Sequence, residues 1–109
     1  MLNLPKALEE LKNKNLDQIQ TETAWSWASR AAASFQNCLQ SQGIKKMTCF
    51  AIGEEYMHEA LEHAALVEGA DILSQIKKEL VPYQEKAAQD VDQMFAGGTN
   101  GQNSKNTVD

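Results

Sequence analysis

The stretch from Cys49 to Asp71, CFAIGEEYMHEALEHAALVEGAD, leaves this chain few architectures. With Phe50 as the reference and about 100° per residue, Gly53, Met57, Ala60, Leu61 and Ala64 fall on its side, while Glu55, His58, Glu59 and Glu62 fall roughly opposite. A segment with an apolar and a charged face at that period is a surface helix, and its apolar side has to be covered by other elements. No strand pattern or repeat occurs elsewhere, so the sequence predicts an all-α protein.

The remaining segments supply the partners. Met1 to Asn15 carries Leu4, Leu8 and Leu11 on one face, Pro5 suits a first helical position, and Asn13-Lys14-Asn15 signals a turn. A helix this short does not stand alone and must dock on the body or on another molecule. The next helix has plausible N-caps at Asn15, Asp17 and Thr21 and stops near Gly43. Its stripe is Trp25, Ala28, Ala32, Phe35 and Leu39, widened by Ala24, Ala31 and Cys38. The apolar phase changes after Val67, where Gly69 is placed to end one helix and Asp71 to cap another, the alternative being one continuous helix over 47–81 that packs against different neighbours along its length. Pro82 predicts a further break, with Tyr83, Ala87, Val91 and Met94 on the face of a last helix. From Gly97 onward, GGTNGQNSKNTVD has no periodicity and reads as disordered.

The expected fold is a small bundle of four to five helices in a single domain over residues 1–95, followed by a tail over 96–109. A hairpin of Thr21–Gln42 against Met47–Val67 forms its centre, flanked by Pro5–Lys12, Asp71–Val81 and Tyr83–Phe95. The predicted core comprises Trp25, Ala28, Ala32, Phe35, Leu39, Phe50, Met57, Leu61, Ala64, Ile72, Ile76 and Leu80. Trp27 falls at the edge of its stripe, where it can pack beneath the N-terminal helix or anchor an interface.

Charge and composition narrow the function. Ten Lys and Arg against fifteen Asp and Glu give a net charge of −5, which argues against nucleic-acid binding, since that needs a basic face to displace counterions. The pairs Lys12 with Lys14, Lys45 with Lys46 and Lys77 with Lys78 form no stripe. Cys38 and Cys49 lack the spacing of a redox or zinc motif, and Cys38 reads as a small buried hydrophobe. No run approaches a membrane span, and the N-terminus is too polar for a signal peptide, so the expected location is the cytoplasm.

The chemistry concentrates in residues 49–71, which hold both histidines and six of the fifteen acidic residues. Glu55-Tyr56-Met57-His58 is a Glu-x-x-His sequence, Glu62 lies one turn beyond His58, and Glu59 with His63 forms a second possible pair. No Lys or Arg occurs between Lys46 and Lys77 to neutralise these carboxylates, which favours a cation or a basic partner. The motif resembles that of ferritin-like di-iron proteins, which place a Glu on one helix and a Glu-x-x-His on the next. Glu22, 33 residues before Glu55, has a spacing similar to that family's. The resemblance implies iron or another divalent metal held by Glu55, His58 and Glu62, with His63, Glu59 and Glu22 as possible additions. Because these residues oppose the apolar stripe, such a site would form where polar faces meet across a homodimer. Ile52-Gly53 followed by Tyr56 is similar to part of a tetratricopeptide-repeat helix, without that family's 34-residue period.

No serine–histidine–acid set, phosphate loop or activated cysteine points to an enzyme. The leading expectation is a non-enzymatic interaction or assembly protein without a cofactor, binding a protein partner or itself through Glu55, Glu59, Glu62 and Trp27. The alternative is an oligomeric, ferritin-like metal-binding protein.

Overall fold

The computed structural model describes residues 3–12 and 15–97, and the predicted tail lies outside the described residues except for Ala96 and Gly97. The protein is all-α, with helices α1 (Leu4–Lys12), α2 (Leu16–Leu39), α3 (Gly43–Ala65) and α4 (Ile72–Gly97). Helices α2, α3 and α4 pack on one another in every pairing, whereas α1 packs on none of them among the described residues.

The register follows from side-chain contacts. Ser34 on α2 donates to the Cys49 carbonyl on α3 at 3.3 Å, and Gln20 meets His63 at 2.7 Å, so these helices are antiparallel. Lys46 pairs with Asp90, and Gln84 donates to Glu54 at 3.1 Å, so α4 runs antiparallel to α3 and parallel to α2. The result is an up-down-up three-helix bundle.

Small side chains set its dimensions. Half of the buried hydrophobic core is alanine (Ala24, Ala28, Ala31, Ala60, Ala64, Ala87), joined by Phe35, Cys38, Met57, Ile72, Ile76 and Leu80. Trp25, Ala32, Phe50 and Leu61, expected inside, are half-buried and pack against this core from its margin. Leu39 is likewise half-buried. The expected α2 stripe was therefore centred too far toward Trp25 and Leu39. A position close to both α3 and α4 admits only small residues, which displaces the larger ones to the flanks. Phe35 is the largest side chain at the centre. Its ring lies over Gly53, where a β-carbon would come within 2.6 Å of it, and against Phe50 at 5.9 Å between centroids.

The helix ends match their chemistry. Asn15 caps α2, accepting from the Gln18 N–H at 2.7 Å. Asp71 caps α4, accepting from the Ser74 N–H at 3.1 Å, and its hydrogen bonds with Ser74 hold its carboxyl below the usual range. Asp17 reaches further, accepting from the Glu68 N–H at 3.2 Å and the Gly69 N–H at 2.9 Å. It thereby ties the start of α2 to the expected break between α3 and α4. Gly43 does not stop α2; its φ of 59° lets the chain turn directly into α3. Helix α2 ends at Leu39, so Ile44 and Lys45, expected in a connection, belong to the first turn of α3.

The expected break at Pro82 is overturned, because α4 is one helix from Ile72 to Gly97. Pro82 is exposed, so the carbonyl that its missing N–H leaves without a donor faces water. On either side, Ile76, Leu80 and Ala87 continue one buried stripe, and Leu80 to Ala87 spans two full turns. Packing on a shared face outweighs the local preference of a proline.

Lys46 is 3 % exposed within this apolar setting. Its ammonium donates to the Cys38 carbonyl at 2.7 Å and pairs with Asp90. A single side chain of α3 thus satisfies a last-turn carbonyl of α2, where a cation suits the helix dipole, and a carboxylate of α4.

Two substitutions test this packing. Gly53→Ala gains about 1 kcal/mol of helix propensity but overpacks the Phe35 ring at a cost of about 1–3 kcal/mol. The expected outcome by urea unfolding is net destabilisation that Phe35→Leu in the same chain relieves. Asp90→Ala leaves the Lys46 ammonium buried without its carboxylate and should cost about 1–3 kcal/mol, less than a fully buried pair because Asp90 is partly exposed. Lys46→Met, which removes the charge, should cost less than Asp90→Ala in the same assay.

Candidate functional site

The outward face of α3 carries Glu55, His58 and Glu62, all exposed. His58 Nε2 lies 3.3 Å from a Glu62 carboxylate oxygen, as expected for residues one turn apart, with their side chains 66 % and 62 % exposed. Glu55 shares an open depression with Ala51, Glu54 and His58. Glu54 accepts from Gln84 across the α3–α4 seam.

Glu59 and His63 occupy a different side of α3. Both are half-buried, and His63 Nδ1 makes its 2.7 Å contact with Gln20 Oε1 on α2. They line a second depression with Glu62, Ala65 and Leu66. Glu59–His63 and His58–Glu62 are therefore neighbouring pairs that face in different directions.

The hairpin register separates Glu22 from Glu55. With Gln20 beside His63 and Trp27 beside Tyr56, Glu22 is level with the residues around Leu61, roughly 10 Å along the axis from Glu55. Sequence separation alone does not fix this level, because the tight connection after Leu39 sets it. Among the described residues, no three His, Cys, Asp or Glu side chains come together as ligands for a metal ion.

Trp27 is half-buried at the α2–α3 seam. Its ring lies 5.5 Å from that of Tyr56, and the Arg30 guanidinium sits over it at 4.8 Å from the centroid. Of the two expected roles, packing beneath the N-terminal helix is not seen among the described residues; Tyr56 and Arg30 cover the ring.

Lys46 is the residue that sequence reasoning passed over. The signal was present: Lys46, Phe50, Gly53, Met57, Ala60 and Ala64 follow one another at intervals of three and four, so the lysine stands on the apolar stripe. Cys38 is free and buried, as expected, and Cys49 is free and half-buried. Burial pushes the Cys38 thiol above its usual range, with the Lys46 ammonium pulling in the opposite direction.

Compared with protein-family models, curated proteins and solved structures, the chain matches none. Its site has to be read from its own geometry.

The thiols give a check on that geometry. A raised pKa lowers the thiolate fraction, and burial limits access, so Cys38 should alkylate roughly tenfold or more slowly than Cys49 at pH 8. Peptide mass spectrometry of iodoacetamide-treated native protein reads both rates, and equal labelling would contradict the packing of α2 on α3.

Proposed function

We propose that this chain is a non-enzymatic helical interaction and assembly protein, acting by binding another polypeptide, whether a partner or a second copy. The observation that carries this reading is α1. It is a nine-residue helix with Leu4 58 % and Leu8 49 % exposed and, among the described residues, no packing on the bundle. A helix of that length is marginal in water and gains stability when its apolar face is covered. The bundle beneath it already has a core of its own, so α1 serves contact rather than folding.

The acidic face of α3 supports a second contact of different chemistry. Glu55, Glu59 and Glu62 stand in a stretch without Lys or Arg between positions 46 and 77, and the half-buried Trp27 meets Tyr56 in the same stretch. A basic peptide segment complements that surface, with charge governing encounter and an aromatic edge adding contact area. The combined variant Glu55→Lys, Glu59→Lys, Glu62→Lys should keep its helix content and lose salt-sensitive binding to a Lys/Arg-rich peptide array. Equal binding by variant and wild type would reject this surface.

The His58–Glu62 pair favours a second reading, a metal-binding assembly. One chain then supplies two ligands from that pair, and a second copy must complete the set. Native mass spectrometry with iron, manganese or zinc offered separates the readings. The interaction module stays metal-free, whereas the metal reading requires stoichiometric metal in an oligomer that His58→Ala abolishes.

A further inference from the structure

Three helices packed as a triangle leave each outer seam open, and the α2–α4 seam is the apolar one. One depression there is lined by residues including Trp25, Ala32, Leu80 and Tyr83, and another by residues including Leu39, Pro82 and Tyr83. They share Tyr83 and together form one furrow. Its α2 wall repeats at positions 25, 29, 32, 36 and 39, the spacing of a helix face that receives another helix. Glu79 stands at the Trp25 end of the furrow and Lys86 at the Leu39 end.

We infer that this furrow receives α1 of a second copy of the chain, so that two copies exchange α1 and each completes a four-helix bundle. The inference rests on the assembly reading above and names its partner and its surface. Leu4 and Leu8 are exposed, and Leu11 continues their spacing in the sequence, giving an apolar edge about 10 Å long. That edge fits within the furrow from Ala28 to Leu39, which spans about 16 Å along α2.

Reach argues for exchange rather than closure within one chain. Helix α1 ends at Lys12 and α2 begins at Leu16. Nine helical residues and a three-residue link extend at most about 24 Å. Leu39 stands about 35 Å along α2 from Leu16. Folded back as a hairpin, a chain's own α1 extends no further than about Ala32, so only another copy's α1 can lay Leu4 beside Leu39. The more apolar half of the furrow, at Leu39, Pro82 and Tyr83, has its α2 wall beyond that reach.

Charge favours one orientation. An α1 antiparallel to the parallel pair α2 and α4 gives the alternating arrangement of four-helix bundles. It places the N-terminus of α1 beside the C-terminus of α2, where the helix dipoles attract, and Lys12 toward Glu79. Exchange uses the contact twice under two-fold symmetry, so one short helix contributes two buried faces to the dimer.

Sedimentation velocity of the full chain over a wide concentration range tests the inference. The wild type should form a concentration-dependent dimer. Leu4→Asp with Leu8→Asp should be monomeric with the bundle's helix content intact, because both leucines are exposed. A furrow variant, Tyr83→Lys, or Ala32→Arg should the first fail to fold, should also be monomeric. An equimolar mixture of an α1 variant and a furrow variant should regain dimer mass, because one intact α1 meets one intact furrow. A dimer indifferent to the α1 variant overturns the inference, as does a mixture that stays monomeric. A wild type monomeric at every concentration overturns it too. If such a monomer still binds the basic peptide array through α3, the exchange falls and the interaction reading stands; if it binds neither, both fall.

Discussion

A scarcity of large side chains at the centre governs the bundle. With half of the buried hydrophobic positions occupied by alanine, helices bury little surface unless their backbones come close. Close approach makes each exception matter. Phe35 can occupy the middle because Gly53 gives its ring a place to lie. Met57, Ile72, Ile76 and Leu80 supply the larger aliphatic side chains of the core. The larger aromatic residues, Trp25, Trp27, Phe50 and Tyr56, are pushed to the seams, where they cover the alanine core from outside.

Polar contacts fix the level at which the helices meet. Alanine faces alone define register weakly, since one small residue replaces another after each turn. Lys46 removes that freedom at one end by joining the α2 carbonyl of Cys38 and the α4 carboxylate of Asp90. Asp17 does so at the other, holding the Glu68 and Gly69 amides where α3 gives way to α4. A buried ion pair is weak evidence of stability in itself, and specifying one alignment is its better-attested use.

Periodicity made the fold class, the α2–α3 hairpin and the break before Asp71 legible, because each depends on residues near in sequence. The α4 error came from weighing Pro82 locally while dividing one continuous stripe, Ile76–Leu80–Ala87, between two helices. Lys46 was misjudged because residue type suggested surface where spacing indicated the interior. At the candidate site, the His58–Glu62 pair follows from helical spacing alone. The turning of Glu59 and His63 toward α2, and the offset of Glu22 from Glu55, depend on hairpin register. No single-helix pattern contains that information, which explains why a motif with suitable spacing need not assemble its ligands.

Pro82 also bears on how the longest helix comes apart. It contributes no amide to the ladder, and Ala87 is the last fully buried residue beyond it. Val91 and Met94 are half-buried and Phe95 is exposed, so the grip on the bundle weakens toward Gly97. Fraying that begins at this end meets Val91, the Lys46–Asp90 pair and Ala87 before it can reach the proline. Helix α4 is thus one rod held on both sides of its proline. Only the turns beyond Val91 can loosen while the three-helix core stays folded.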